Sequence, residues 1–281
     1  MKKQKNNPEN FLKAEIDPAY RERALFIFNQ VLREKPSTVL DLGCGRGFYT
    51  NQLSYFPFIR KIVGLELNEQ YLTEAKKNSL SKKVKYFNQD FYIWKSTVKF
   101  DLIIMSEILE HLSDDKLALK KAVNLLSNNG KIIITVPHHN FPFFWDPINY
   151  ILMKFGLHIP SHIWWLAGIW ADHNRLYTKS QLQELVISQK LMIIEEHDQI
   201  HWCWPFTHFF LYGIGKNLVT RMNFKSFNRF EQSDGFFSVL LARLFRLPEA
   251  VYQKTKKNFN ISSNKAAGLV GIYQKKIRLN S

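Results

Sequence analysis

Cysteine is almost missing from the 281-residue chain: only Cys44 and Cys203 occur, far apart and without metal-ligand spacing. That excludes a disulfide-stapled scaffold and fits a reducing cytosol, the expected location. Long apolar runs are missing too. The strongest, IWWLAGIW (163–170), is far shorter than the ~20 residues a membrane span needs. The opening MKKQKNNPENF is polar and basic with no apolar stretch behind it, so no secretory signal is expected. Acidic residues are scarce beside basic ones, 24 against 39, for a formal charge of +15. The excess is uneven: residues 199–281 hold 13 Lys and Arg but three Asp and Glu, whereas 138–198 hold four and six. A basic C-terminal third suits contact with an anionic membrane surface, a nucleic acid or an acidic substrate, or a plain solvated face. No internal repeat occurs, and no low-complexity segment beyond the Lys/Asn-rich first ten residues.

What is present is core. At 46% hydrophobic residues the chain can fill one large domain with insertions. From residue 38 short β-branched runs alternate with helical patterns, the signature of parallel βαβ units in an α/β fold. TVLDL (38–42), KIVGLE (61–66), VKYFNQD (84–90), FDLIIMS (100–106), KIIITVP (131–137), LMIIEE (191–196) and AAGLVGIYQKK (266–276) read as seven strands. Asn68 and Thr178 are placed to cap helices EQYLTEAKK and KSQLQELVISQ. The helix DKLALKKAVNLLS (115–127) is expected to stop at Asn129–Gly130. Upstream, Leu25, Phe28, Val31 and Leu32 share one helical face.

Four segments follow: 1–37, helical; 38–137, a cofactor-binding core; 138–177, an aromatic insertion; and 178–281, completing the sheet around a basic insertion at 197–265. Both insertions leave from strand carboxyl ends, where ligands of open α/β sheets bind. They hold Trp145, Trp164, Trp165, Trp170, Trp202 and Trp204, so they are expected to cover the crevice, although such rings also build small cores.

VLDLGCGRGFYT (39–50) runs a strand into Gly43-x-Gly45-x-Gly47 and then a helix, so the backbone can approach a ligand where no Cβ intervenes. Asp41 precedes the loop. Glu66 ends the next strand, where a carboxylate can accept from both hydroxyls of a ribose. Asp90, ending the third, is placed for an adenine amino group. Phe48 stands where a dinucleotide fingerprint has its last glycine, which argues against a nicotinamide oxidoreductase.

The stretch resembles motif I of the class I S-adenosylmethionine-dependent methyltransferases, and the likeness runs through VGLE, NQD, FDLIIMSEILEHL and NNGKIIITVP, about residues 36–137. The resemblance implies a Rossmann-like, doubly wound, seven-stranded and mostly parallel sheet with its last strand antiparallel. It places Asp41, Gly43, Gly45, Glu66, Asp90, Phe91 and Ser106 at the cofactor, S-adenosylmethionine. A non-catalytic binding module of the same fold is the rival outside the enzymes.

SEILEHL (106–112) poses the chemical question. In a helix, Glu107, Glu110 and His111 would share one face. The string is similar to E-x-x-E-H in the ubiquinone-biosynthesis O-methyltransferases and the small-RNA 2′-O-methyltransferases, where the matching residues hold a divalent ion. The RNA branch adds a later histidine, matched here by His173. The resemblance therefore implies a magnesium, manganese or zinc ion on Glu107, Glu110, His111 and His173, or else His111 or His173 as general base with Glu107 beside it. Arg21 or Arg23 is expected near the cofactor carboxylate. The apolar insertion FPFFWDPINYILMKFGLHIPSHIWWLAGIW (141–170) suits a bulky apolar or lipid-linked acceptor. The helix-like GFFSVLLARLFRLPEAVYQK (235–254), with Arg243 and Arg246 among apolar residues, suits peripheral contact with the inner face of an anionic membrane. RNA is the less favoured partner, since no recognised RNA-binding module accompanies the charge.

Overall fold

A computed structural model describes residues 7–79, 81–163, 165–215, 235–259 and 263–276. Trp164 and the parts of the second insertion at 216–234 and 260–262 lie outside the described residues. Seven strands form one sheet: β1 (Thr38–Leu42), β2 (Lys61–Glu66), β3 (Val84–Asn88), β4 (Phe100–Ser106), β5 (Leu126–Pro137), β6 (Leu191–Gln199) and β7 (Gly268–Lys275). Their order is β3-β2-β1-β4-β5-β7-β6. Strands β1 to β5 pair in parallel, and β7 runs antiparallel to both β5 and β6. The order reverses between β1 and β4, so a crevice opens beyond the carboxyl ends of those two strands.

Period-two alternation sends successive residues of each strand to opposite cores. Leu40, Leu42, Ile103, Met105, Ile132 and Ile134 face one, with Leu119 and Leu182 packed on them. Val39, Ile62, Leu102, Ile104 and Ile133 face the other. That second core is closed by Leu25, Phe28 and Val31, with Leu32 partly buried beside them. Two helices supply the N-terminal segment, α1 (Pro8–Phe11) and α2 (Pro18–Glu34). The Asp17 carboxylate starts α2 by accepting from Ala19 N and Tyr20 N at 2.9 and 3.1 Å, with Pro18 at the first turn. Helix α3 (Phe48–Leu53) follows the glycine loop. Asn68 caps α4 (Glu69–Lys77), accepting from Tyr71 N at 3.1 Å.

One boundary differs from expectation. Helix α5 (Asp115–Leu125) ends before Asn129–Gly130, and Leu126 already pairs with Phe100 in the sheet. Gly130 therefore serves a strand rather than a helix end: a Cβ there would lie 2.8 Å from the Phe100 carbonyl oxygen. The third strand is also shorter than read, which leaves Asp90 in the turn after it.

The first insertion carries α6 (Pro147–Met153) and a short 3-10 turn at Gly168–Trp170. Trp145 is buried with Phe141, Ile169, Leu176 and Ile200 in a third small core, and Trp170 packs against it. Trp165, Trp202 and Trp204 are exposed. The aromatic residues thus divide between a core and a surface. Helix α7 (Lys179–Ser188) begins on a capping box between Thr178 and Gln181. Helix α8 (Phe236–Phe259) precedes β7, and among the described residues no helix is long and apolar enough to cross a membrane.

Candidate active site

The glycine loop leaves β1 and is pinned to β2, because Gly43 N and Cys44 N both donate to the Leu65 carbonyl at 2.8 and 3.0 Å. Gly43 takes a positive φ of 68°, and a Cβ there would sit 2.3 Å from Ile108 Cδ1. Gly45 also has a positive φ, 52°, but a Cβ there would meet nothing within 4 Å. One glycine is required by close packing and the other faces open space, as a loop lying under a ligand would.

Glu66 bridges this loop to the start of α4: Oε2 accepts from Gly45 N and Oε1 from Asn68 N, each at 2.8 Å. Each carboxylate oxygen keeps a lone pair for a further donor. Asp41 sits deeper, buried under the loop and accepting from Thr50 Oγ1 at 2.5 Å. Burial pushes its carboxyl up to about 6, against the pull of the Thr50 bonds. Asp90 accepts from Tyr92 N at 2.7 Å, and Phe91 is buried in the core below it. Exposed Leu67 and Ile93, which follow Glu66 and Phe91 closely, are further candidates for an adenine face. Their sequence signal was only adjacency to the acids.

SEILEHL is not a helix. Glu107 adopts φ 52°, breaking the chain direction, and 109–111 form a turn. The kink is held by Thr135 on β5. Its carbonyl accepts from Glu107 N at 2.9 Å, and its hydroxyl contacts Ser106 Oγ and Glu107 Oε1, each at 3.0 Å. Glu107 Oε2 pairs with Arg23 at 3.0 Å. Arg23 comes from α2 and lies against the Tyr20 ring. Arg21 instead points to Glu9 and Glu22.

The kink turns Glu107 to Arg23 and Thr135, although its charge still acts on Glu110. Glu110, His111 and His173 do come together, with one donor atom from each within 4.8 Å of the others. Glu110 is fully buried, and neither carboxylate oxygen has a hydrogen-bond partner. Burial, with the Glu107 charge nearby, raises its carboxyl well above the usual range. His111 Nδ1 donates to the Asp172 carbonyl at 2.7 Å, and His173 Nδ1 to the Ile169 carbonyl at 2.6 Å. Both imidazoles therefore keep their lone pair on Nε2, and His111 Nε2 lies 3.8 Å from Glu110 Oε1. Burial and the neighbouring His111 push His173 down to about 3, so it is neutral at pH 7.

Residues 172–177 clamp this turn. Asn174 N donates to the Glu110 carbonyl at 2.9 Å, and Asn174 Nδ2 to the His111 carbonyl at 2.7 Å. Arg175 reaches the carbonyls of Leu109, Leu112 and Ser113 at 2.7–3.2 Å. Asn174 and Arg175 escape a reading of the sequence because their partners are backbone atoms some 60 residues away. Above them, His208 stacks on Tyr212 and meets the edge of Trp145.

A parallel sheet with β7 reversed, a strand–glycine-loop–helix unit and an acid ending β2 together define the Rossmann-like methyltransferase fold. Residues 13–193 match the family model described as "Methyltransferase domain", and the chain belongs to that family. It is similar to the ubiquinone biosynthesis O-methyltransferase of Coxiella burnetii, 28% identical over 136 residues, which cover 44% of this chain and 57% of that one. It is also similar to the small RNA 2′-O-methyltransferase of Rattus norvegicus, 31% identical over 138 residues, covering 44% and 35%. The matches thus span between about a third and three fifths of these relatives' own length. An S-adenosylmethionine-dependent methyltransferase structure from Mesorhizobium loti superposes with a TM-score of 0.54 at 16% identity, covering 90% of this chain and 98% of that one.

Proposed function

We propose that the protein transfers the methyl group of S-adenosylmethionine to a hydroxyl oxygen of a bulky apolar acceptor, beside a divalent ion held by Glu110, His111 and His173. The observation that carries the ion is the Glu110 carboxylate, fully buried, without a hydrogen-bond partner, and beside two imidazoles fixed as Nε2 acceptors. Leaving a carboxylate in that state costs several kcal/mol unless it is neutralised or bound. Backbone carbonyls holding both Nδ1–H groups are the usual support of metal-binding histidines. Two nitrogens and a carboxylate suit magnesium, manganese or zinc.

The cofactor's sulfonium supplies an already activated methyl group. Open space above Gly45 and the spare lone pairs of Glu66 fit its ribose, and Arg23 at the crevice fits its carboxylate. The protein's task is then to hold the acceptor in line, about 3 Å from the methyl carbon, and to favour loss of the hydroxyl proton. A divalent ion would lower the pKa of that hydroxyl. Support for an apolar acceptor comes from the exposed rings of the first insertion, Phe143, Phe144, Phe155 and Trp165. The oxygen acceptor draws support from the two O-methyltransferase relatives.

The test is a screen of hydroxylated apolar compounds and a short RNA with labelled cofactor, run in EDTA and with each metal restored. Label should enter an apolar acceptor only when the ion is present. Full activity in chelator would remove the ion and leave His111 or His173 as the base. Preferential labelling of the RNA would replace the acceptor class. No transfer to any acceptor, with cofactor still bound, would favour a binding module.

A further inference from the structure

Helix α8 carries an apolar stripe on its outside. Phe236, Phe237, Leu240, Leu244, Leu247 and Val251 recur at helical spacing, and each is between 44 and 85% exposed. Its buried face is a different one: Ser238, Ala242, Glu249 and Tyr252. From Phe236 to Val251 the stripe runs about 22 Å along the axis. A soluble helix normally turns its apolar side to the core. Here a serine, an alanine, a glutamate and a tyrosine face in, and three of the four leucines face out.

The charges are sorted in the same sense. Glu249 is the helix's one acid, and it points inward, accepting from His201 N and Trp202 N at 2.7 and 2.9 Å. Of the cations, half-buried Arg246 reaches the Ala242 and Lys13 carbonyls, and the others stay outside. At 100° per residue, Arg243 and Lys254 border the stripe, both exposed, and Lys256 and Lys257 lie in the last turn. Pro248 interrupts the helix and cannot donate to the Leu244 carbonyl. Trp204 donates there instead, Nε1 to oxygen at 2.9 Å, which lays its half-exposed ring beside the stripe. Trp202 packs its ring against Tyr252 and is also exposed.

We infer that α8 with Trp202 and Trp204 is a docking face for an anionic lipid bilayer. Aliphatic side chains in a row, cations along the border and tryptophans at the margin match the layers of a membrane interface, from acyl chains to phosphate headgroups. A second copy is a poor occupant, because a two-fold contact through this face would bring like-charged edges together with no acid between them. Single-stranded RNA is no better served, since leucine and valine offer no ring face for a base to stack on. This docking goes beyond the reaction proposed above and does not depend on it.

The test is co-sedimentation of the full chain at low salt with vesicles of phosphatidylcholine alone or with phosphatidylglycerol added. The wild type should pellet with the anionic vesicles. Leu244→Asp with Leu247→Asp should weaken that binding at least about tenfold, with circular dichroism and thermal midpoint unchanged, because both sites are exposed. Arg243→Glu with Lys254→Glu should abolish the preference for phosphatidylglycerol. A wild type left in the supernatant, or leucine variants that bind as well as the wild type, would overturn the proposal. It would equally fail if light scattering showed a dimer that the leucine variants dissociate, or if an RNA oligonucleotide bound more weakly to those same variants.

Discussion

Glu110 is the residue on which the proposed ion depends. Its position in the E-x-x-E-H string marks it in the sequence, but the reason given there, a shared helical face, does not hold in the structure. The side chain reaches His111 and His173 because the backbone turns at 109–111, and Glu107 is drawn away to Arg23 and Thr135. In chelator, Glu110 is an acid whose folded pKa is raised. Above the ordinary carboxylate range the unfolded chain gives up this proton before the folded one, so stability falls as pH rises through that window. Glu110→Gln removes the penalty. At pH 8 in EDTA the variant should melt higher than the wild type by a few degrees, since about 1 kcal/mol is worth about 2–4 °C in domains of 150–250 residues. Restoring the metal should then raise the wild type's midpoint and not the variant's. A variant that melts lower in EDTA would contradict the orphaned carboxylate. Arg23 and Arg21 separate in the same way. Arg23→Ala should weaken S-adenosylhomocysteine binding by about 1–3 kcal/mol, the range for a bond to a charged group. Arg21→Ala should leave it unchanged, because Arg21 is turned to Glu9 and Glu22. Equal affinities in a titration of both variants would remove Arg23 from the cofactor.

Among elements, the turn at 107–113 depends on the irregular segment 172–177 more than on itself. Arg175 spans three carbonyls of the turn while touching neither the Glu110 carboxylate nor an imidazole nitrogen. Arg175→Ala should therefore lower metal affinity by about 10–100-fold, the usual effect of losing a supporting partner. Titration with zinc or manganese would read it, and unchanged affinity would show that the turn holds without the clamp. The elements that a sequence reveals and those it hides separate along the same line. The strands are legible because period-two burial and β-branched runs act locally, and Asn68 and Thr178 start their helices through contacts within one turn. The kink at Glu107 is hidden because it is fixed by Thr135, a neighbour only once β4 and β5 pair. The early end of α5 is hidden for the same reason: Gly130 reads as a helix stop until the Phe100 carbonyl is seen against it.

In the whole molecule, the buried His138 and the half-buried His208 and His173 set the response to acid. Burial pushes both His138 and His208 down to about 4. The unfolded chain takes up these protons near pH 6.5 while the folded one refuses them, so stability is full above about 6.5 and is lost as pH falls toward 4. Each imidazole contributes at most about 1.4 kcal/mol per pH unit. Denaturant midpoints taken at several pH values in the Glu110→Gln background, which removes one opposing carboxylate and leaves the raised Asp41 and Glu22, should fall from pH 7 to pH 5, because His173 is depressed together with His138 and His208. A flat or rising profile would contradict the burial of these rings. The cofactor site is proposed for the crevice between β1 and β4, at the glycine loop and Glu66. Calorimetric titration of the full chain with S-adenosylhomocysteine and, separately, with NAD(H) tests it most directly. The first should bind saturably at one site, more weakly by about 1–3 kcal/mol in Glu66→Ala, and the second should not bind. Saturable NAD(H) binding, or no binding of S-adenosylhomocysteine by folded protein, would contradict it.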